Sequence, residues 1–79
     1  MRGGEDVEMM VRWEVLRGRM RARRLELGYT QTEVSRAMGL SDDYVSQLEN
    51  GIRGRVPNLV TLWRWADVLG GGVEVRWNE

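Results

Sequence analysis

Thr30-Gln31-Thr32-Glu33-Val34-Ser35-Arg36-Ala37-Met38-Gly39-Leu40-Ser41 leads directly into Asp42-Asp43-Tyr44-Val45-Ser46-Gln47-Leu48-Glu49-Asn50-Gly51. Thr30 with Glu33 three residues later has the spacing of a capping box, so a short helix is predicted over 31–38. Gly39 ends it, because glycine enters the left-handed conformation that closes a helix. Ser41 is the next expected cap, with Asp42 and Asp43 in the first turn, where carboxylates suit the helix dipole. The second helix should run to about Asn50 and stop at Gly51. Ser35 is a small side chain where the two helices would cross. Val34, Met38, Leu40, Val45 and Leu48 would supply the apolar contacts that fix the crossing.

The pattern extends outward on both sides. Val7, Met10, Val11, Leu16, Met20 and Leu27 recur at three- to four-residue steps, which predicts a first helix over 6–27 with its arginines on the other face. Gly28 reads as its stop. Residues 52–56 form a loop carrying Arg53 and Arg55. Pro57 is the sole proline. Asn58 caps a predicted helix over 59–69, with Leu59, Leu62, Trp65, Ala66 and Leu69 on one face. Gly70–Gly72 break it. Val73-Glu74-Val75-Arg76-Trp77 alternates with a period of two and reads as a short strand. The expected organisation is an extension and helix start over 1–14, a helical domain over 15–70, and a strand or tail over 71–79. No internal repeat or low-complexity run is present.

Composition narrows the chemistry. Seventy-nine residues make one domain, near the lower limit of what a single core stabilises. Cysteine and histidine are both absent, which removes disulfides, thiolate metal sites and the commonest general base. No metal or cofactor is expected. The first eight residues lack the apolar core of a secretory signal, and no stretch approaches the roughly 20 apolar residues of a membrane span. A cytoplasmic location is the expectation. Net charge is zero, with twelve basic residues, all arginine. They are polarised: residues 11–40 hold seven arginines against three glutamates, a balance of +4. One basic face is compatible with a neutral chain. Arginine suits bidentate contacts to phosphate or guanine; its exclusive use also accords with GC-rich coding.

Two short capped helices joined by a Gly-apolar-Ser turn form a helix-turn-helix, whose second helix can enter the major groove of DNA. Gly28-Tyr29-Thr30-Gln31, Val34-Ser35, Gly39-Leu40-Ser41, Val45-Ser46-Gln47-Leu48-Glu49-Asn50-Gly51, Pro57, and Leu62 with Ala66 and Leu69 resemble the Cro/C1-type (Xre-like) repressor family. The resemblance covers two thirds to three quarters of the chain. It implies an all-α, lambda-repressor-like bundle of four to five short helices, here with the short C-terminal β-strand added. It also implies sequence-specific binding of double-stranded DNA, usually as a homodimer on a palindromic operator.

The resemblance assigns roles by position. Asp42, Asp43, Ser46 and Gln47 match base-facing positions, with Gln47 suited to a bidentate adenine contact. Gln31, Ser41, Tyr44, Asn50, Arg53 and Arg55 match backbone-contacting positions, and Arg23 is the best candidate in the arginine cluster of the first helix. Arg24 and Glu49 match a structural salt bridge between the first and third helices. Asp42 and Asp43 depart from the family's usual residues. Three readings stand: first-turn helix acids, acceptors for cytosine N4, or a sign of weak DNA binding by a protein that chiefly binds another protein. Tyr44 suits a sugar-phosphate or thymine methyl, or simple packing. The arginine cluster is either a solvated helix face or a flank of the phosphate track.

Trp65 is a core candidate. Trp63, Val73, Val75 and Trp77 are dimer-interface candidates, because the tail could pair with its own copy across a two-fold axis. The alternative is packing on its own domain. Two functions fit: a transcriptional repressor that occludes a promoter, or an antitoxin that binds a toxin and represses its own operon. An enzyme does not fit. Ser35, Ser41 and Ser46 have no evident base, and the adjacent Asp42 and Asp43 would point about 100° apart on a helix.

Overall fold

Four glycines at positive φ, Gly28, Gly39, Gly51 and Gly70, follow the four helices. Each lets the chain turn left-handed where a Cβ would be strained. The computed structural model describes residues 3–51 and 56–78, with side chains from residue 7 onward. The helices are α1 (Gly3–Leu27), α2 (Gln31–Ala37), α3 (Tyr44–Glu49) and α4 (Leu59–Val68). Among the described residues there is no strand. Nor is any described helix long and apolar enough to cross a membrane.

α1 begins before the expected Asp6, and its inner face differs from the expected one. Trp13, Met20 and Leu27 pack against the core, while Val7, Met10 and Val11 are exposed. The reason is length. The other three helices have 7, 6 and 10 residues, too short to cover a helix of 25. The turns before Trp13 therefore run past the described bundle. Val15 and Leu25 also face outward.

The core is the cluster Val34, Met38, Val45, Leu48, Trp65 and Leu69. Trp65 is fully buried. Trp13 meets it edge-on, with ring centroids 6.4 Å apart at 65°, a favourable arrangement of ring quadrupoles. The Arg17 guanidinium covers the Trp13 ring at 5.6 Å. Leu59, expected on the inner face of α4, is exposed.

Local chemistry sets the helix starts. Thr30 Oγ1 accepts from the Glu33 N–H at 3.0 Å, and Glu33 Oε1 accepts from the Thr30 N–H at 2.8 Å. Asn58 Oδ1 accepts from the Thr61 N–H at 2.8 Å and caps α4. α3 differs from expectation. Ser41 does not cap it and Asp42 precedes it; Asp43 occupies the N-cap position without a side-chain cap bond. The acceptor comes from another helix. Buried Ser35 Oγ receives the Val45 N–H at 3.0 Å. Ser35 thus satisfies a donor that the first turn of α3 would otherwise leave unpaired.

The tail over 73–77 is not the expected strand. A strand is defined by backbone hydrogen bonds to a neighbouring strand, and among the described residues no backbone–backbone hydrogen bond reaches this segment. Instead Trp63 Nε1 donates to the Val73 carbonyl at 3.3 Å.

Replacing Ser35 with alanine should strand the buried Val45 N–H while leaving helix content intact. We expect a loss of about 1–3 kcal/mol, read by urea unfolding as a lower midpoint with an unchanged m-value.

Candidate nucleic-acid interface

α3 is held in place by one carboxylate. Glu49 is buried at its C-terminal end and accepts from Arg24 of α1 through Nε to Oε2 at 2.6 Å and Nη2 to Oε1 at 2.9 Å. Gln31 of α2 donates its Nε2 to the same Oε1 at 3.0 Å. Arg21 Nε approaches Oε1 at 3.8 Å and remains largely exposed. The Arg24 Nη1 also donates to the Tyr29 carbonyl at 2.9 Å. Hydrogen bonding to Glu49 pushes the Arg24 pKa up, so the guanidinium stays charged. Arg17 completes the clamp by donating to the Glu49 backbone carbonyl at 3.3 Å. Gly51 is needed here: a Cβ on it would lie 2.5 Å from Arg17 Nη1, and its φ is +67°.

The turn before α3 has its own tie. Arg36 of α2 grips Asp42 with two parallel bonds, Nε to Oδ1 at 3.0 Å and Nη2 to Oδ2 at 2.9 Å. The Arg36 hydrogen bonds hold the Asp42 carboxyl below its ordinary value of 3.8, and Asp42 raises the Arg36 pKa in turn. Glu33 is likewise lowered from 4.5, first by the Thr30 backbone N–H and then by the Thr30 side chain.

On the outward side of α3 the polar groups form short chains. Asp43 Oδ2 accepts from Gln47 Nε2 at 2.8 Å, and its Oδ1 accepts from Ser41 Oγ at 3.1 Å. Asn50 Nδ2 donates to Ser46 Oγ at 3.2 Å. Ser41, Asp42, Asp43 and Asn50 are exposed; Ser46 and Gln47 are half-buried. Tyr44 packs partly against the core. Thus Ser41, Asp43, Ser46, Gln47 and Asn50 are brought together on one short helix and its lead-in. Arg23 lies elsewhere: its Nε donates to the Leu69 carbonyl at 3.1 Å at the end of α4, and it pairs with Glu26. Arg53 and Arg55 lie outside the described residues. Trp63 and Val73 are in contact, whereas Val75 and Trp77 project into solvent.

Several contacts escaped sequence reasoning. Arg36 with Asp42, Arg17 on the Glu49 carbonyl, and Arg64 Nη1 on the Met38 carbonyl at 3.2 Å join residues far apart in helical phase or in sequence. No local pattern signals them. Among the described residues, no group of three or more carboxylates is placed to hold a metal ion.

Removing one member of a buried ion pair leaves the other uncompensated. Glu49→Leu should therefore lose about 3–5 kcal/mol, whereas Arg24→Met combined with Glu49→Leu should lose clearly less. A double-mutant cycle by denaturant unfolding reads the difference. Acid gives a second expectation. Asp42 and Glu33 have lowered folded-state values, so the unfolded chain takes up their protons first. Their contribution is complete above the ordinary values of 3.8 and 4.5 and is lost as pH falls through the lower folded values. Melting temperature should drop below about pH 4.5, with a shallower drop in Asp42→Asn.

Comparison with known proteins adds two findings. The helix-turn-helix family HTH_3 matches residues 20–75. A protein of Sinorhizobium fredii (strain NGR234), named as the HTH-type transcriptional regulator y4dJ, is 45% identical over 47 residues. The match covers 60% of this chain and 58% of that protein. No solved structure matches the chain. With the match running from Met20 in α1 through α4 and including the turn between α2 and α3, this chain is a member of the HTH_3, Cro/C1-type helix-turn-helix family.

Proposed function

We propose that this protein is a sequence-specific double-stranded DNA-binding transcriptional regulator that reads the major groove with α3. The observation that carries the reading is the hold on α3. A charged pair at one end, the Ser35 hydroxyl at the other, and the Asp42–Arg36 tie fix its rotation while Ser46, Gln47 and Asn50 remain at the surface. A reading helix must be rigid, because a specific contact is lost once its side chain wanders. The relative's name, a transcriptional regulator, supports the same direction.

In this reading Gln47 contacts an adenine through both ends of its amide. Asp43 orients that amide by accepting an Nε2 hydrogen. Asp42, engaged by Arg36, buttresses the turn. Gln31, Ser41, Tyr44 and Asn50, with Arg53 and Arg55, contact the sugar-phosphate backbone. The protein acts as a homodimer on a palindromic operator with half-sites about one helical turn, roughly 34 Å, apart, and represses by occluding the promoter.

A second reading, an antitoxin, draws on the exposed Val7, Met9, Met10 and Val11 on the first turns of α1. They form an apolar surface suited to a protein partner.

The test is selection from a genomic DNA library at two salt concentrations. One palindromic site should be recovered, with affinity falling as salt rises. Gln47→Ala should relax one base position by about 1–3 kcal/mol. Asp43→Ala should relax that same position and add little to Gln47→Ala. Relaxation at a different position would make Asp43 a base reader instead. Binding to all fragments equally would overturn sequence-specific reading.

A further inference from the structure

We propose that residues 73–77 pair antiparallel with the same segment of a second copy, in the register that places Val75 on the two-fold axis. This deepens the dimer of the reading above by naming its contact and register. Four observations point to it.

First, the segment is a palindrome in chemistry. With Val75 opposite Val75 of the other copy, Val73 faces Trp77 and Glu74 faces Arg76. Every apolar residue meets an apolar one and every charge meets its opposite. Aromatic–β-branched and opposite-charge pairs are among the favourable cross-strand partners. Shifting the register by one residue would put charges against the apolar set.

Second, the segment already has strand-like alternation. Arg76 Nε donates to Glu74 Oε1 at 3.0 Å, so these two side chains share a face, as residues two apart do in an extended chain. In the pair they would form a four-charge cluster.

Third, the phase is set. Trp63 Nε1 engages the Val73 carbonyl at 3.3 Å, so that carbonyl faces α4, and in an extended strand the backbone groups of residues 75 and 77 would share its side. Those of Glu74 and Arg76 then face away and carry the ladder. Among the described residues, no backbone–backbone hydrogen bond uses residues 72–78. Val75 falls at a non-hydrogen-bonded position, where facing Cα atoms come within about 4.5 Å.

Fourth, exposed apolar surface is available near the segment. A two-stranded ribbon is marginal alone and needs apolar support. Leu59, Val60 and Trp63 are exposed on α4, and Val75 and Trp77 are 74% and 79% exposed. Val73 and Glu74 border a cavity of about 280 Å³ lined by Leu16, Met20, Leu62 and Ala66, so the start of the segment lies against apolar side chains of α1 and α4.

The chain has no cysteine, which makes a thiol scan clean. Val75→Cys should oxidise to a covalent dimer readily, since its Cα separation suits a disulfide. Val15→Cys, also exposed but on the outer face of α1, should not. By sedimentation without DNA, Glu74→Arg should weaken the dimer roughly tenfold, since two attractive pairs become repulsive. Glu74→Arg with Arg76→Glu should restore it. The proposal is overturned if the unaltered chain stays monomeric at every concentration, if Val15→Cys links as fast as Val75→Cys, or if the double swap fails to restore association. Because these readouts omit DNA, loss of DNA binding would sink the regulatory reading and leave this one standing.

Discussion

The Glu49 carboxylate is the point on which the arrangement depends. It accepts from α1 through Arg24 and from α2 through Gln31, and it belongs to α3. Three helices therefore meet at one pair of oxygens. An apolar residue there could fill the same volume, but burial is non-directional. Hydrogen bonds to a planar carboxylate specify direction, and direction fixes how α3 is rotated about its axis. In the proposed reading of base edges by α3, rotation matters as much as position.

The arginines serve the same end by a different route. Helices of six to ten residues leave a large share of their carbonyls unpaired at the C-terminus. Arg64 reaches the Met38 carbonyl after α2, Arg17 the Glu49 carbonyl of α3, and Arg23 the Leu69 carbonyl after α4. A cation at each of these ends also suits the helix dipole. Arginine does this well because its long stem packs while its planar head donates. Much of the basic stretch in α1 is thus turned toward the protein's own backbone. A neutral protein with an arginine-rich first helix ceases to be a paradox, since part of that charge holds the fold.

Much of the fold was legible locally. The Thr30–Glu33 box, the Asn58 cap and the glycines after each helix are short-range devices, set by backbone sterics and by donors three residues away. The helix-turn-helix crossing identified Val34, Met38, Val45 and Leu48 as core, and the period of the last helix identified Trp65. Period misplaced Val7, Met10, Val11 and Leu59, because periodicity reports that a face is apolar, not whether anything covers it. The period-two tail likewise has the alternation of a strand, but a single copy provides no neighbour to complete a ladder.

The sequence by itself determined where α2 and α4 begin, where each helix ends, and which of them form the helix-turn-helix. These follow from caps, glycines and spacing, all within a few residues of one another. Only the tertiary structure decided what holds α3. Ser35 is ten positions from the N–H it accepts, and Arg24 is twenty-five from the carboxylate it pairs with. No local preference links such residues. They meet because buried polar groups must find partners, and the crossing of α1, α2 and α3 is what puts those partners within reach.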